Sequence, residues 1–315
     1  MRFIFAGPYL FALVCTYIAF APATAIAQQL TPELRALAAK EDARYQNHII
    51  TAEVDWDGGF MGGGKQKVAI EGVLILPDPE RFKAPYPLAV FSHGSQAYRS
   101  PSTVQKFDAD SRGHRIFSHA WTLQGYALFF PLRKGFTRKD GISATTSVNR
   151  TEPINCGNRT SQEEGLISAK TDVRALVSAL GRTRQDIDMT KVLLIGHSRG
   201  GFISLSLAAD EMPGAVGVVN YSGGWHWEPC PEGSSFSSDY FKVFSEKVKV
   251  PVVSLYGDKE EEHPIHVIEE TRLAALRKIK DSRVIVIPGG NHSQSTWVVN
   301  WFIPVRGFLE DLNKR

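Results

Sequence analysis

Three residue types that together make a serine reactive occur in this chain in a suggestive order. Ser198 stands in Gly196-His197-Ser198-Arg199-Gly200, four carboxylates crowd a later stretch at Asp258, Glu260, Glu261 and Glu262, and His292 closes Gly289-Gly290-Asn291-His292. A serine hydroxyl is a poor nucleophile at neutral pH. It needs a base within hydrogen-bond reach, and the base needs an acid to hold its tautomer. The residues therefore predict acyl transfer, with Ser198 as nucleophile, His292 as base and one loop carboxylate as orienter. Gly-x-Ser-x-Gly alone is a weak signal, because glycine and serine are common in loops. A histidine after Gly-Gly-Asn is equally ordinary as a turn residue. Each gains weight because it is the missing half of the other.

Such residues act only if the chain delivers them to one place. Val192 to Ile195 is an apolar run that enters the serine motif directly, and the helix-capable segment Phe202 to Ala209 follows it. Strand, sharp turn and helix in that order form a nucleophile elbow, which exposes the serine hydroxyl above a sheet. Gly196 and Gly200 have no Cβ, so the two backbones can approach closely there.

With these features the chain resembles the α/β-hydrolase family, nearest to its dienelactone-hydrolase-like and carboxylesterase-like members, over about residues 70–312. The resemblance implies a mostly parallel central sheet with helices on both faces. It also implies an oxyanion hole made from the backbone N–H groups of Ser95, after Ser92-His93-Gly94, and Arg199, after the nucleophile. His93 is then a turn residue, since the chemistry asks that loop for a main-chain donor. Family members often read Gly-x-x-Asp after the strand that precedes the acid, with a proline four residues beyond. That register lays Gly257 before Glu260 and puts Pro264 in its place, which favours Glu260. Asp258 is the alternative, because aspartate is the commoner orienter and its shorter side chain suits a position nearer the strand end.

The N-terminus reads as a targeting segment. Arg2 is its one charge before Glu33, Phe3 to Phe20 is nearly all apolar, and Ala25-Ile26-Ala27 is a small-x-small cleavage signal. The apolar core is short for a membrane span of about 20 residues, and no basic cluster follows it. Val14 before Cys15 does not fit a lipoprotein signal. Residues 1–27 are therefore expected to be a cleaved signal peptide, leaving 28–315 as one α/β-hydrolase domain exported to the periplasm or beyond. The formal charge of +3 over 315 residues, without a basic run, argues against nucleic acid as a partner. Beyond the leader, Cys156 and Cys230 are the remaining cysteines. In an oxidising compartment they are expected to form a disulfide; two buried thiols are the alternative.

Along the chain, Thr31 to Ala38 reads as a short amphipathic helix, and Ile49–Val54 and Val68–Leu76 as strands. Gly59 to Lys65 between them nearly spells a phosphate loop. However, Gln66 follows the lysine and a strand follows that, so the glycines predict a hairpin loop. Further strands are expected at Leu88–Phe91, Tyr126–Pro131, Ala215–Tyr221, Val250–Tyr256 and Arg283–Ile287. Helices are expected at 111–124, from Leu166 to Leu180, around Leu273 to Ile279 and from Pro304 to Leu312. Two irregular, lid-like insertions are expected near 133–163 and 222–240. The second holds Trp225, His226 and Trp227, which could be core aromatics or, with Trp225 and His226 foremost, a pocket wall.

His263 and His266 are spaced as half of a metal site that nothing completes, and His114 and His119 lie on a helix without chemical context. The sequence thus calls for no metal and no cofactor. Three functions fit: a serine hydrolase acting on a small-molecule carboxylic ester, the same machinery acting on an amide or peptide, and a ligand-binding relative without catalysis. The last is expected to lose one of the three residue types, and all three are present.

Overall fold

The computed structural model describes residues 46–56, 66–94, 105–108, 111–138, 159–225, 231–260 and 265–314. The expected leader and first helix, the glycine loop, Ser95, Cys156, His226, Trp227, Cys230 and His263 lie outside them.

Ten strands form. β1 (His48–Trp56) and β2 (Gln66–Ile75) pair antiparallel from His48↔Leu74 to Trp56↔Gln66. Then come β3 (Tyr86–Ser92), β4 (Gln105–Phe107), β5 (Ala127–Pro131), β6 (Phe136–Arg138), β7 (Ile187–His197), β8 (Ala215–Tyr221), β9 (Val252–Gly257) and β10 (Arg283–Ile287). The main sheet has the order β1-β2-β5-β3-β7-β8-β9-β10, and β4 pairs with β6 in a separate two-stranded sheet. From β5 to β10 every neighbour is parallel, whereas β2 meets β5 antiparallel.

The parallel strands read as unbroken apolar runs because helices cover both faces. Successive side chains alternate between those faces. Leu88, Val90, Val192 and Leu194 join the cluster formed with helices α2 (Arg159–Thr183), α3 (Arg199–Ala209) and α4 (Pro231–Lys247). Their neighbours face the other way: Phe91 packs edge-on against Phe117 of helix α1 (Arg112–Thr122). On that side Trp121 stacks on Trp301 of the last helix at 5.3 Å. Ser111 caps α1, its hydroxyl accepting the His114 N–H.

Three expectations need correction. The segment 133–163 is not uniformly irregular, since β6 lies inside it and α2 begins at Arg159, where Arg159 pairs with Glu163 one turn on. Likewise 222–240 is helical from Pro231, because Phe236, Tyr240, Phe241 and Phe244 recur at helical spacing and close around Phe202 of α3. The last helix starts at Val298 and runs to Leu312 with Pro304 inside it. The helical segment before β10, Ile265–Leu276, is irregular, with a π-helical turn at Glu269–Leu273. It and the last helix are α5 and α6 below.

Candidate active site

The site is assembled at the carboxyl ends of five neighbouring parallel strands, where ligands of open α/β sheets collect. β7 ends at His197 and α3 begins at Arg199, leaving Ser198 as the whole turn. Its backbone is strained, at φ 54° and ψ −125°. Such a conformation persists only where its surroundings over-determine it. Here the Ser198 N–H donates to the Tyr221 carbonyl at 2.8 Å, and the Ser198 carbonyl accepts from Gly224 and Phe202, each at 3.2 Å. A Cβ on Gly196 would collide with the Gly200 main chain, and one on Gly200 with the Ser92 carbonyl. The two glycines therefore let α3 dive between the ends of β3 and β7. The first-turn N–H groups of α3, Arg199 among them, have no intrahelical acceptor and point back toward the elbow.

β3 brings Gly94 against the same turn, with an ideal Cβ there falling 3.2 Å from the Ser198 Cβ. This approach is braced from behind. Arg133, after β5, donates from Nη1 to the His93 carbonyl at 2.8 Å. Its neighbour Lys134 forms a buried ion pair with Asp172 of α2. The His93 ring lies 3.9 Å from the Phe136 ring and takes part in the turn, its Nδ1 bonded to the Gly94 carbonyl at 2.9 Å.

β9 and β10 supply an acid and a base. Glu260 Oε2 lies 2.6 Å from His292 Nδ1. Asp258 turns elsewhere and accepts the Gly289 N–H at 2.7 Å, which ties the acid loop to the histidine loop. The other Glu260 oxygen accepts the Ser222 hydroxyl at 2.5 Å and the Gly257 N–H at 3.2 Å. Burial pushes the Glu260 carboxyl up, but the bonds from His292, Ser222 and Gly257 outweigh it and hold it below the usual range, hence ionised. A carboxylate on Nδ1 leaves Nε2 as the His292 nitrogen for proton transfer.

Two further residues belong to this arrangement. His197 Nε2 is 3.1 Å from the His292 carbonyl. A carbonyl can only accept, so Nε2 carries the proton. Burial, reinforced by His292 nearby, pushes its pKa down to about 4, so the ring is neutral at pH 7. Ser222, just past β8, is the second. Neither carries a sequence signal: their partners lie 95 and 38 positions away. Trp225 is buried, with the Arg199 guanidinium 4.5 Å above its ring and Phe202 beside it. His266 stands exposed on α5, and His114 is absorbed in capping α1, its Nδ1 2.7 Å from the Asp108 carbonyl.

This sheet order and strand-end site define an α/β-hydrolase fold. The particular likenesses are to solved structures. Est1E from Butyrivibrio proteoclasticus with ferulic acid bound matches at TM-score 0.54 and 17% identity, over 78% of this chain and 97% of that one. The esterase Pf2001 from Pyrococcus furiosus matches at 0.53 and 13%, over 86% and 92%. The acylaminoacyl peptidase from Pyrococcus horikoshii matches at 0.53 and 14%, over 85% of this chain but 41% of its own. No family model and no curated protein matches the chain.

Proposed function

We propose that this chain is a serine hydrolase that cleaves a carboxylic ester through an acyl-enzyme. The observation that carries the reading is the strained Ser198 elbow facing the strand ends that hold His292 on ionised Glu260. Ser198 Oγ attacks the ester carbonyl while His292 takes its proton and passes it to the leaving alcohol. The Arg199 N–H, with that of Ser95, receives the oxyanion. His292 then activates water for deacylation. The esterases among the similar folds support an ester over an amide, although the peptidase shares the architecture. Export through residues 1–27 and a Cys156–Cys230 bridge between the two insertions belong to the same proposal.

The test combines fluorophosphonate labelling with turnover of p-nitrophenyl acyl esters, methyl ferulate and matched anilides. Labelling of the parent chain, lost in Ser198→Ala together with about a millionfold in kcat, is expected. Ester turnover by the alanine variant within tenfold of the parent would refute the assignment. Faster anilide than ester turnover would transfer the reading to amides.

A further inference from the structure

Four non-glycine residues have positive φ in the described chain, and two of them, Ser198 and Ser222, sit just beyond the adjacent strands β7 and β8. Ser198 has a reason to be strained. Ser222, at φ 47°, is fully buried, and its hydroxyl is aimed at Glu260 Oε1, 2.5 Å away. A hydroxyl donor on a carboxylate makes a short, charge-assisted bond. The backbone of Ser222 is pinned as well, its N–H donating to the Leu255 carbonyl at 2.8 Å in β9.

We propose that Ser222 is a positioning residue: its hydroxyl clamps the free oxygen of Glu260 so that the other faces His292 Nδ1. This inference rests on the serine-hydrolase reading for its effect on turnover, but not for its effect on His292. Glu260 has three bonds to lose. The Gly257 N–H, at 3.2 Å, shares Oε1 with Ser222 and is the longer contact, so the hydroxyl is the main restraint on carboxylate rotation. A buried turn that needed only positive φ would be served better by glycine. Serine at this position keeps the strain and adds the donor.

The experiment compares Ser222→Ala, which keeps a Cβ at the strained position, with Ser222→Gly, which relieves it; both remove the hydroxyl. The His292 pKa is read by NMR titration of histidine-labelled protein, with its resonance assigned by His292→Asn. Loosening a close counter-charge favours the neutral ring, so the His292 pKa is expected to fall by about half a unit to one unit in both variants. Turnover, where present, should lose roughly tenfold in kcat with KM within about twofold, since Glu260 never touches substrate. An unchanged or raised His292 pKa in either variant overturns the proposal, as does parental behaviour in Ser222→Gly. If the parent chain fails to label or hydrolyse while the pKa still falls, the function reading fails and the clamp stands.

Discussion

Asp258 and Glu260 sit two residues apart in one loop and face different partners, a glycine N–H and an imidazole. Their substitutions should separate cleanly. Glu260→Gln leaves His292 without an anion and in the wrong tautomer, and kcat is expected to fall about 10⁴-fold. Asp258→Asn weakens one bond to Gly289, costs about 1 kcal/mol of stability and leaves kcat within a few-fold. Parallel kinetics and urea melts on the two variants decide it. The register that the family resemblance implies, with Glu260 three residues after Gly257, favours the carboxylate that meets His292, whereas residue type alone favoured Asp258. Ser222 and His197 were not legible. A serine after a strand and a histidine before the elbow acquire meaning only from partners that the sheet brings alongside.

The helices show the same divide. Strands β8 and β10 were readable to the residue, because each is a short apolar run between polar turns, although β10 is far less buried. Helix α4 was not, because Gly233, Ser234, Ser235, Ser237 and Ser238 give its first turns poor propensity. Its aromatics settle the matter only when Phe202 is opposite them. Phe202→Ala should therefore cost about 3–5 kcal/mol, measured by denaturation, although no polar atom changes. Pro304 marked a helix start by rule, yet it lies inside α6, where Trp301 and Val305 on either side are buried. At the elbow, Gly200→Ala would push α3 off the end of β3, against the Ser92 carbonyl. Ester turnover should disappear in that variant even where circular dichroism still reports a folded sheet.

Across the molecule, acid should act through several groups in the same direction, with His48 and His114 pushed down by burial as His197 is. His197 has a folded pKa of about 4 against an ordinary 6.5. Between those values the unfolded chain binds more protons than the folded one, so stability falls as pH drops from 6.5 toward 4, by up to about 3 kcal/mol. Glu260, depressed below its ordinary value, adds a loss only at lower pH, as it protonates. Calorimetry at pH 7 and pH 5 should give a Tm several degrees lower at pH 5, and His197→Gln should reduce that difference. An unchanged slope in that variant would exclude His197 as its source.

β10 ends the described sheet. Four of its five residues are only half-buried, whereas β9 beside it is buried throughout. Yet β10 carries the loop with His292, while Ser198 is anchored at the centre. Edge strands held by few apolar contacts open locally at a lower free energy than the whole fold. His292 can thus detach with its strand while Ser198 stays in place, and the proposed ester turnover becomes the least cooperative property of the molecule. In rising urea, ester turnover should fail at a lower midpoint than the tryptophan fluorescence of the Trp121–Trp301 core. Amide exchange should be fastest, among the parallel strands, in 283–287. Reinforcing the Arg283–Asp311 tie between β10 and α6 would then extend working life without touching a residue of the site.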